Sequence, residues 1–124
     1  MRKNKLFVLV AVLVAFVLLA GCSTFTKNTY SSIKTSAIMV DSAMKVSADL
    51  YAEGYINSDD VEEIKAIHVL YRSSYIVAVD ALSAYKRSGD VQDKEMLEYA
   101  MIEITVLAGD IAVLVDKFLA RRNQ

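Results

Sequence analysis

The chain has 124 residues, with 14 basic and 15 acidic side chains, a single cysteine and neither proline nor tryptophan. That length holds one small domain, the lone cysteine excludes an internal disulfide framework, and the lack of a basic block argues against nucleic acid as a partner. The missing proline leaves long helices uninterrupted, and no run of like charge reads as disorder.

Residues 1–22 divide into three parts. Arg2, Lys3 and Lys5 are basic, Leu6 to Ala20 is an unbroken apolar run, LFVLVAVLVAFVLLA, and Gly21-Cys22 follow. An apolar run of about 15 residues suits the core of an export signal and falls short of the roughly 20 residues of a membrane span. The sequence Leu19-Ala20-Gly21-Cys22 resembles the lipobox of bacterial lipoproteins: a large aliphatic residue, two small ones and a cysteine. The resemblance covers residues 1–23 only. It implies that residues 1–21 are a signal peptide, recognised through Leu19, Ala20 and Gly21 and removed. Cys22 then carries a diacylglycerol on its thiol and an acyl chain on its new amino group. It implies an address as well. Ser23 in place of an aspartate points to the outer membrane, periplasmic face; in a host with one membrane, it points to the outer face of that membrane. One acyl chain holds a protein only marginally, whereas two or three hold it firmly, because each buried CH₂ contributes about 0.8 kcal/mol. The competing reading is an uncleaved N-terminal anchor with an incidental cysteine.

Beyond the signal, 103 residues remain, carrying eleven basic and fifteen acidic side chains, a net charge of −4. Residues 22–28 are expected to be the lipid-bearing cysteine and a short polar tether, and 29–124 a helical domain. Over 29–53, Tyr30, Ile33, Ala37, Val40, Met44 and Tyr51 recur at helical steps on one face. Lys34, Asp41, Lys45, Asp49 and Glu53 fall opposite, and Gly54 supplies a stop. A second helix is predicted over 59–87, capped by Ser58 or Asp59, with Asp59 and Glu62 at capping-box spacing. Its seam is Val61, Ile64, His68, Tyr71, Tyr75, Ala78, Leu82 and Tyr85, a heptad-like repeat. Ser88-Gly89 ends it. A third helix over 91–121, capped by Asp90, has the seam Leu97, Met101, Ile104, Ala108, Ile111, Val115 and Phe118. Similar lengths and short turns predict an all-α, antiparallel, up-down-up three-helix bundle following the N-terminal signal helix.

No catalytic constellation accompanies this pattern, so no enzyme and no cofactor are expected. His68 is the only histidine. It lies on the seam without a second histidine or a Glu-x-x-His spacing, and so reads as a structural side chain rather than a metal ligand. Tyr71, Tyr75 and Tyr85, with Tyr30 and Tyr51, read as core filler with hydroxyls at its edge, or as the lining of a ligand pocket. The third helix is the most informative. Glu103, Asp110 and Lys117 make a polar stripe at steps of seven. Beside it runs a second apolar row, Tyr99, Ile102, Val106 and Val113, with Gly109 between the last two. One seam suffices to dock a helix in a bundle. The second row is therefore either a surface for a partner or a second copy, with Gly109 allowing close backbone approach, or the sign of a helix buried on most sides. A smaller echo is Val69 and Ile76 on the second helix.

The reading that follows is a membrane-anchored envelope lipoprotein whose body is a non-catalytic structural or protein-interaction module. Its partners would be the membrane, through Cys22, and an envelope protein or a second copy. The alternative is a module holding a small apolar or lipid ligand in the bundle core, lined by Tyr71, Tyr75, Met44 and Met101.

Overall fold

A computed structural model describes residues 21–124, with side chains from Phe25 onward. It contains three helices, α1 (Gly21–Ala52), α2 (Ser58–Ser88) and α3 (Val91–Arg122), and each packs against the other two. Contacts at the ends fix the direction. The ring of Phe25, early in α1, stands edge-on to that of Tyr85, late in α2, with centroids 5.7 Å apart. The ammonium of Lys94, early in α3, lies 4.9 Å from the Phe25 centroid. At the other end Asp60, early in α2, meets Arg121, late in α3. The bundle is therefore antiparallel and runs up, down, up, as the spacing and turn lengths predict.

The turns are built by local chemistry. Gly54 (φ +84°) and Gly89 (φ +62°) take the left-handed conformation that lacks a Cβ penalty only in glycine. The Gly89 N–H closes α2 by donating to the Tyr85 carbonyl at 2.8 Å. The cap of α2 sits earlier than the spacing suggested. Asn57, not Ser58 or Asp59, is the cap, and Asp60, not Glu62, completes the box: the Asp60 N–H donates to Asn57 Oδ1 and the Asn57 N–H to Asp60 Oδ2, each at 3.0 Å. Asp60 wins this role because its carboxylate also accepts from Arg121 Nη1 at 2.7 Å, tying the start of α2 to the end of α3. Asp90 caps α3 as expected, accepting from the Gln92 N–H.

The Asn57 N–H, the Arg121 hydrogen bond and the charges of Arg121 and Lys117 together hold the Asp60 carboxyl below its ordinary value of 3.8, against a smaller opposing effect of burial. A depressed carboxyl stabilises the fold wherever the unfolded chain is already ionised. Its contribution is thus present above pH 3.8 and is lost as the pH falls through the folded value. Acid titration followed by far-UV circular dichroism should show stability declining below about pH 4. The Asp60→Asn variant should lose that part of the slope and melt lower at neutral pH; an unchanged acid limb would remove Asp60 from this role.

The first helix departs most from expectation. It begins eight residues earlier than 29, so the segment expected as a tether is helical instead. Phe25 is the cause, since its ring packs on Tyr85 and under Lys94, and the Thr29 hydroxyl donates to the Phe25 carbonyl at 2.8 Å. Its core face is also rotated relative to the predicted one. Ile33 and Val40 are buried as expected, Ala37 and Met44 are half-buried, but Tyr30 and Tyr51 are exposed. Thr29, Ser47 and Leu50 are buried in their stead, and Ser36 is half-buried. These hydroxyls are tolerated inside because each donates to a carbonyl of its own helix: Ser36 to Ile33 at 2.8 Å and Ser47 to Ala43 at 3.0 Å.

The core itself is one cluster. Val40, Leu50, Ile64, Leu97, Ile104, Ile111 and Phe118 are its largest enclosed side chains. The predicted seams of α2 and α3 supply most of the rest, with Val61, His68, Tyr75 and Met101 half-buried at its edge. Among the described residues, no buried side-chain polar atom lacks a hydrogen-bond partner, as a well-formed interior requires.

Candidate functional site

Successive residues of a helix are about 100° apart, so a seam that faces the core fixes what faces away. On α3 the core side is Leu97, Ile104, Ile111 and Phe118, none more than 1% exposed. Residues two or five positions from these point to the far side. There lie Tyr99, Ile102, Val106 and Val113, at 79%, 63%, 55% and 68% exposure. Helix α3 is thus apolar on two opposite faces, one enclosed by the bundle and one open. The alternative of a central helix buried on most sides is corrected by these exposures: three helices surround one axis, and each keeps an outer face.

Gly109 lies in the same row. A Cβ built there would meet nothing within 4 Å, so no internal contact demands glycine. Gly109→Ala should therefore raise the stability of the bundle by about 0.5–1 kcal/mol, the ordinary gain for a helix interior. A lowered melting temperature would mean that Gly109 serves the fold after all.

The edges of the row are charged. Glu103, Asp110 and Lys117 flank it on one side, and Glu98 and Asp116 on the other, all exposed. Carboxylates outnumber cations four to one around the strip. The apolar surface continues onto α2. A groove of about 420 Å³ between the helices is lined by Val77, Met96, Tyr99 and Ala100, with Gln92, Glu95 and Glu103 at its rim. Val69 and Ile76, the smaller echo on α2, are exposed as well, and so are Leu70 and Val77 beside them. Leu70, Val77 and Met96 escaped the sequence reading because they neighbour the core seams. Their signal was the seven-residue spacing of Leu70 and Val77, parallel to that of Val69 and Ile76.

The other candidates lie between α1 and α2. Tyr71 is buried, its hydroxyl hydrogen-bonded to that of Ser36 at 2.8 Å and its ring 6.2 Å from that of Tyr75. Burial pushes the Tyr71 hydroxyl above its ordinary value of 10.0, against the opposing effect of the Ser36 hydrogen bond. His68 is half-buried in the wall of an open groove of about 420 Å³, together with Ala37, Asp41, Tyr71, Arg72 and Tyr75. Neither this groove nor a nearby pocket lined by Tyr30 and Tyr75 includes Met44 or Met101. Tyr85 belongs to the core, whereas Tyr30 and Tyr51 are at the surface, Tyr30 under the ammonium of Lys86 at 5.8 Å.

Leu19 and Ala20 lie outside the described residues, and of Gly21 and Cys22 only the helical backbone is described. Among the described residues, no group of three or more histidine, cysteine, aspartate or glutamate side chains is placed to hold a metal ion, and no helix is long and apolar enough to cross a membrane. The fold and its open apolar face define the molecule as an all-α three-helix bundle with an unpartnered outer strip. No family model matches the chain, and neither the curated proteins nor the solved structures contain a match to it.

Proposed function

We propose that this protein is a bacterial envelope lipoprotein, held by acyl chains on Cys22, whose bundle is a non-catalytic module that docks another protein through the outer face of α3. The observation that carries the docking role is the row Tyr99, Ile102, Val106 and Val113, more than half exposed at every position and on the side opposite the core. Exposed apolar surface rimmed by charge is the common mark of a protein-interaction site. Gly109 in the row gives a docked helix room to approach, as glycine does where two helix backbones come close.

The support for the anchor is the order of basic residues, apolar run and Leu19-Ala20-Gly21-Cys22 in the sequence. The absence of Asp after Cys22 favours the outer membrane, periplasmic side. The edges of the row favour a partner over a second copy. Glu98, Glu103, Asp110 and Asp116 against one Lys117 would set like charges opposite each other in a face-to-face dimer, an arrangement that costs affinity. A segment with an apolar stripe flanked by lysine or arginine meets the same strip with attraction. The test is association of the full chain in intact cells, compared between the native protein and Val106→Glu: loss of the associated species with the fold intact supports the proposal, and an unchanged association rejects it.

A further inference from the structure

Three helices around one axis leave the gap between α1 and α2 across the bundle from the outward face of α3. Two pockets open in that gap, of about 300 and 420 Å³, and they meet at Tyr75. Together they form a groove whose floor is Ile33, Ala37, Tyr75 and Leu82. Lys34 and Asp41 stand along its α1 bank, and Arg72, Val79 and Lys86 along its α2 bank. Lys27 and Lys65 extend the two banks, seven residues before Lys34 and Arg72 and so on the same helix faces. The banks thus carry five exposed cations, Lys27, Lys34, Lys65, Arg72 and Lys86, against the one carboxylate of Asp41. The body as a whole has a net charge of −4.

Groove and strip correspond in charge, in chemistry and in height. The strip is apolar along its middle and acidic at its edges, through Glu98, Glu103, Asp110 and Asp116; the groove has an apolar floor and basic banks. Phe25 on α1 stands beside both Lys94 on α3 and Tyr85 on α2. Equal rises along α1 and α3 from that contact set Tyr99 and Val113 level with Tyr30 and Met44, the stretch of α1 that borders the groove. Val106 comes level with Ala37, in the middle of the floor. We infer that the α3 strip of one copy docks in the α1–α2 groove of a second copy, head to tail. This rests on the docking role proposed above and names its partner. The like charges that count against a face-to-face pair of strips do not arise, because an acidic edge meets a basic bank. With the bundle axes parallel, Glu103 and Asp110, on the edge of α3 nearer its own α2, fall against the neighbour's Lys65 and Arg72, and Glu98 falls against its Lys27. Strip and groove lie on opposite sides of each copy, so the contact does not close on itself and the copies line up in an open row. The shared height lets every copy point the same way, as chains held through Cys22 in one membrane must.

The test is sedimentation velocity of the full chain in mild detergent. The native chain should give species of two, three and more copies that shorten as salt is raised. Two variants change exposed side chains only: Val106→Glu spoils the strip, and Lys34→Glu with Arg72→Glu spoils the groove. Each alone should weaken self-association about tenfold or more with its melting temperature unchanged. Mixed in equal amounts, they should recover a dimer and stop there, because the intact strip of the groove variant fits the intact groove of the strip variant and no further pair remains. Lys65→Glu with Arg72→Glu, which leaves α1 untouched, gives the same readout if the first groove variant melts early. A native chain that stops at two copies would overturn the head-to-tail contact, and a mixture that stays monomeric would overturn the groove as receptor. A monomeric native chain that is still captured by a different protein from position 106 overturns this inference and leaves the docking role standing. No capture from position 106 by any chain overturns both.

Discussion

Replacing Phe118 with alanine should lower the stability of the bundle by about 3–5 kcal/mol. Phe118 is fully enclosed in the core and is its largest such side chain. It sits near the end of α3, beneath the Arg121 guanidinium, which lies 5.4 Å from the ring centroid. The same Arg121 bonds Asp60 at the start of α2. Truncation therefore removes apolar contact and leaves a cavity at the point where two helix ends are tied together. A domain of this size is stable by about 5–15 kcal/mol in total, and near its midpoint each kcal/mol moves the melting temperature by roughly 4–8 °C. Thermal melts of the two proteins should differ by more than ten degrees on that scale. A change of a degree or two would mean that Phe118 does not close the core.

The Val106→Glu variant should behave in the opposite way. Val106 is over half exposed and points away from the core, so the substitution should alter folding stability by no more than about 0.5 kcal/mol. In a docked complex the same position lies in the middle of the strip, where central apolar residues carry most of the binding energy. A carboxylate there is desolvated without a counter-ion, among edges already crowded with Glu98, Glu103, Asp110 and Asp116. Association should weaken by about 2 kcal/mol or more, roughly thirtyfold. The paired measurement is a melt of the purified protein and a titration or crosslinking yield of the complex. Loss of stability with no loss of association would assign Val106 to the fold.

The contrast between these two variants follows from a pattern that sequence makes visible. On α2 and α3 mostly apolar residues recur at steps of three and four, with smaller ones such as Ala78 and Ala108 among them, so the seams are legible from Val61 to Tyr85 and from Leu97 to Phe118. The outer row of α3 was visible for the same reason: a helix needs one apolar face for a bundle, and this one has two. Helix α1 was harder. Its core face passes through buried Thr29 and Ser47 and half-buried Ser36, whose hydroxyls look like surface chemistry until their bonds to the preceding turn are seen. Tyr30 and Tyr51 look like core, yet both rings lie at the surface, Tyr30 beside the ammonium of Lys86. The α2 cap shifted because Asn57 and Asp60 gain from Arg121, sixty-one residues after Asp60, a contact that local spacing does not encode.

Site-specific photo-crosslinking from position 106 in intact cells tests the central claim most directly. A photoreactive residue at 106 should capture a discrete partner, and so should one at Tyr99 or Val113 on the same strip. One at the exposed Glu62 on α2 should not. A doubled mass of the chain itself would make the partner a second copy, and a different mass would make it an envelope protein. No adduct from 106, or equal adducts from 106 and 62, would contradict the outer face of α3 as a docking surface.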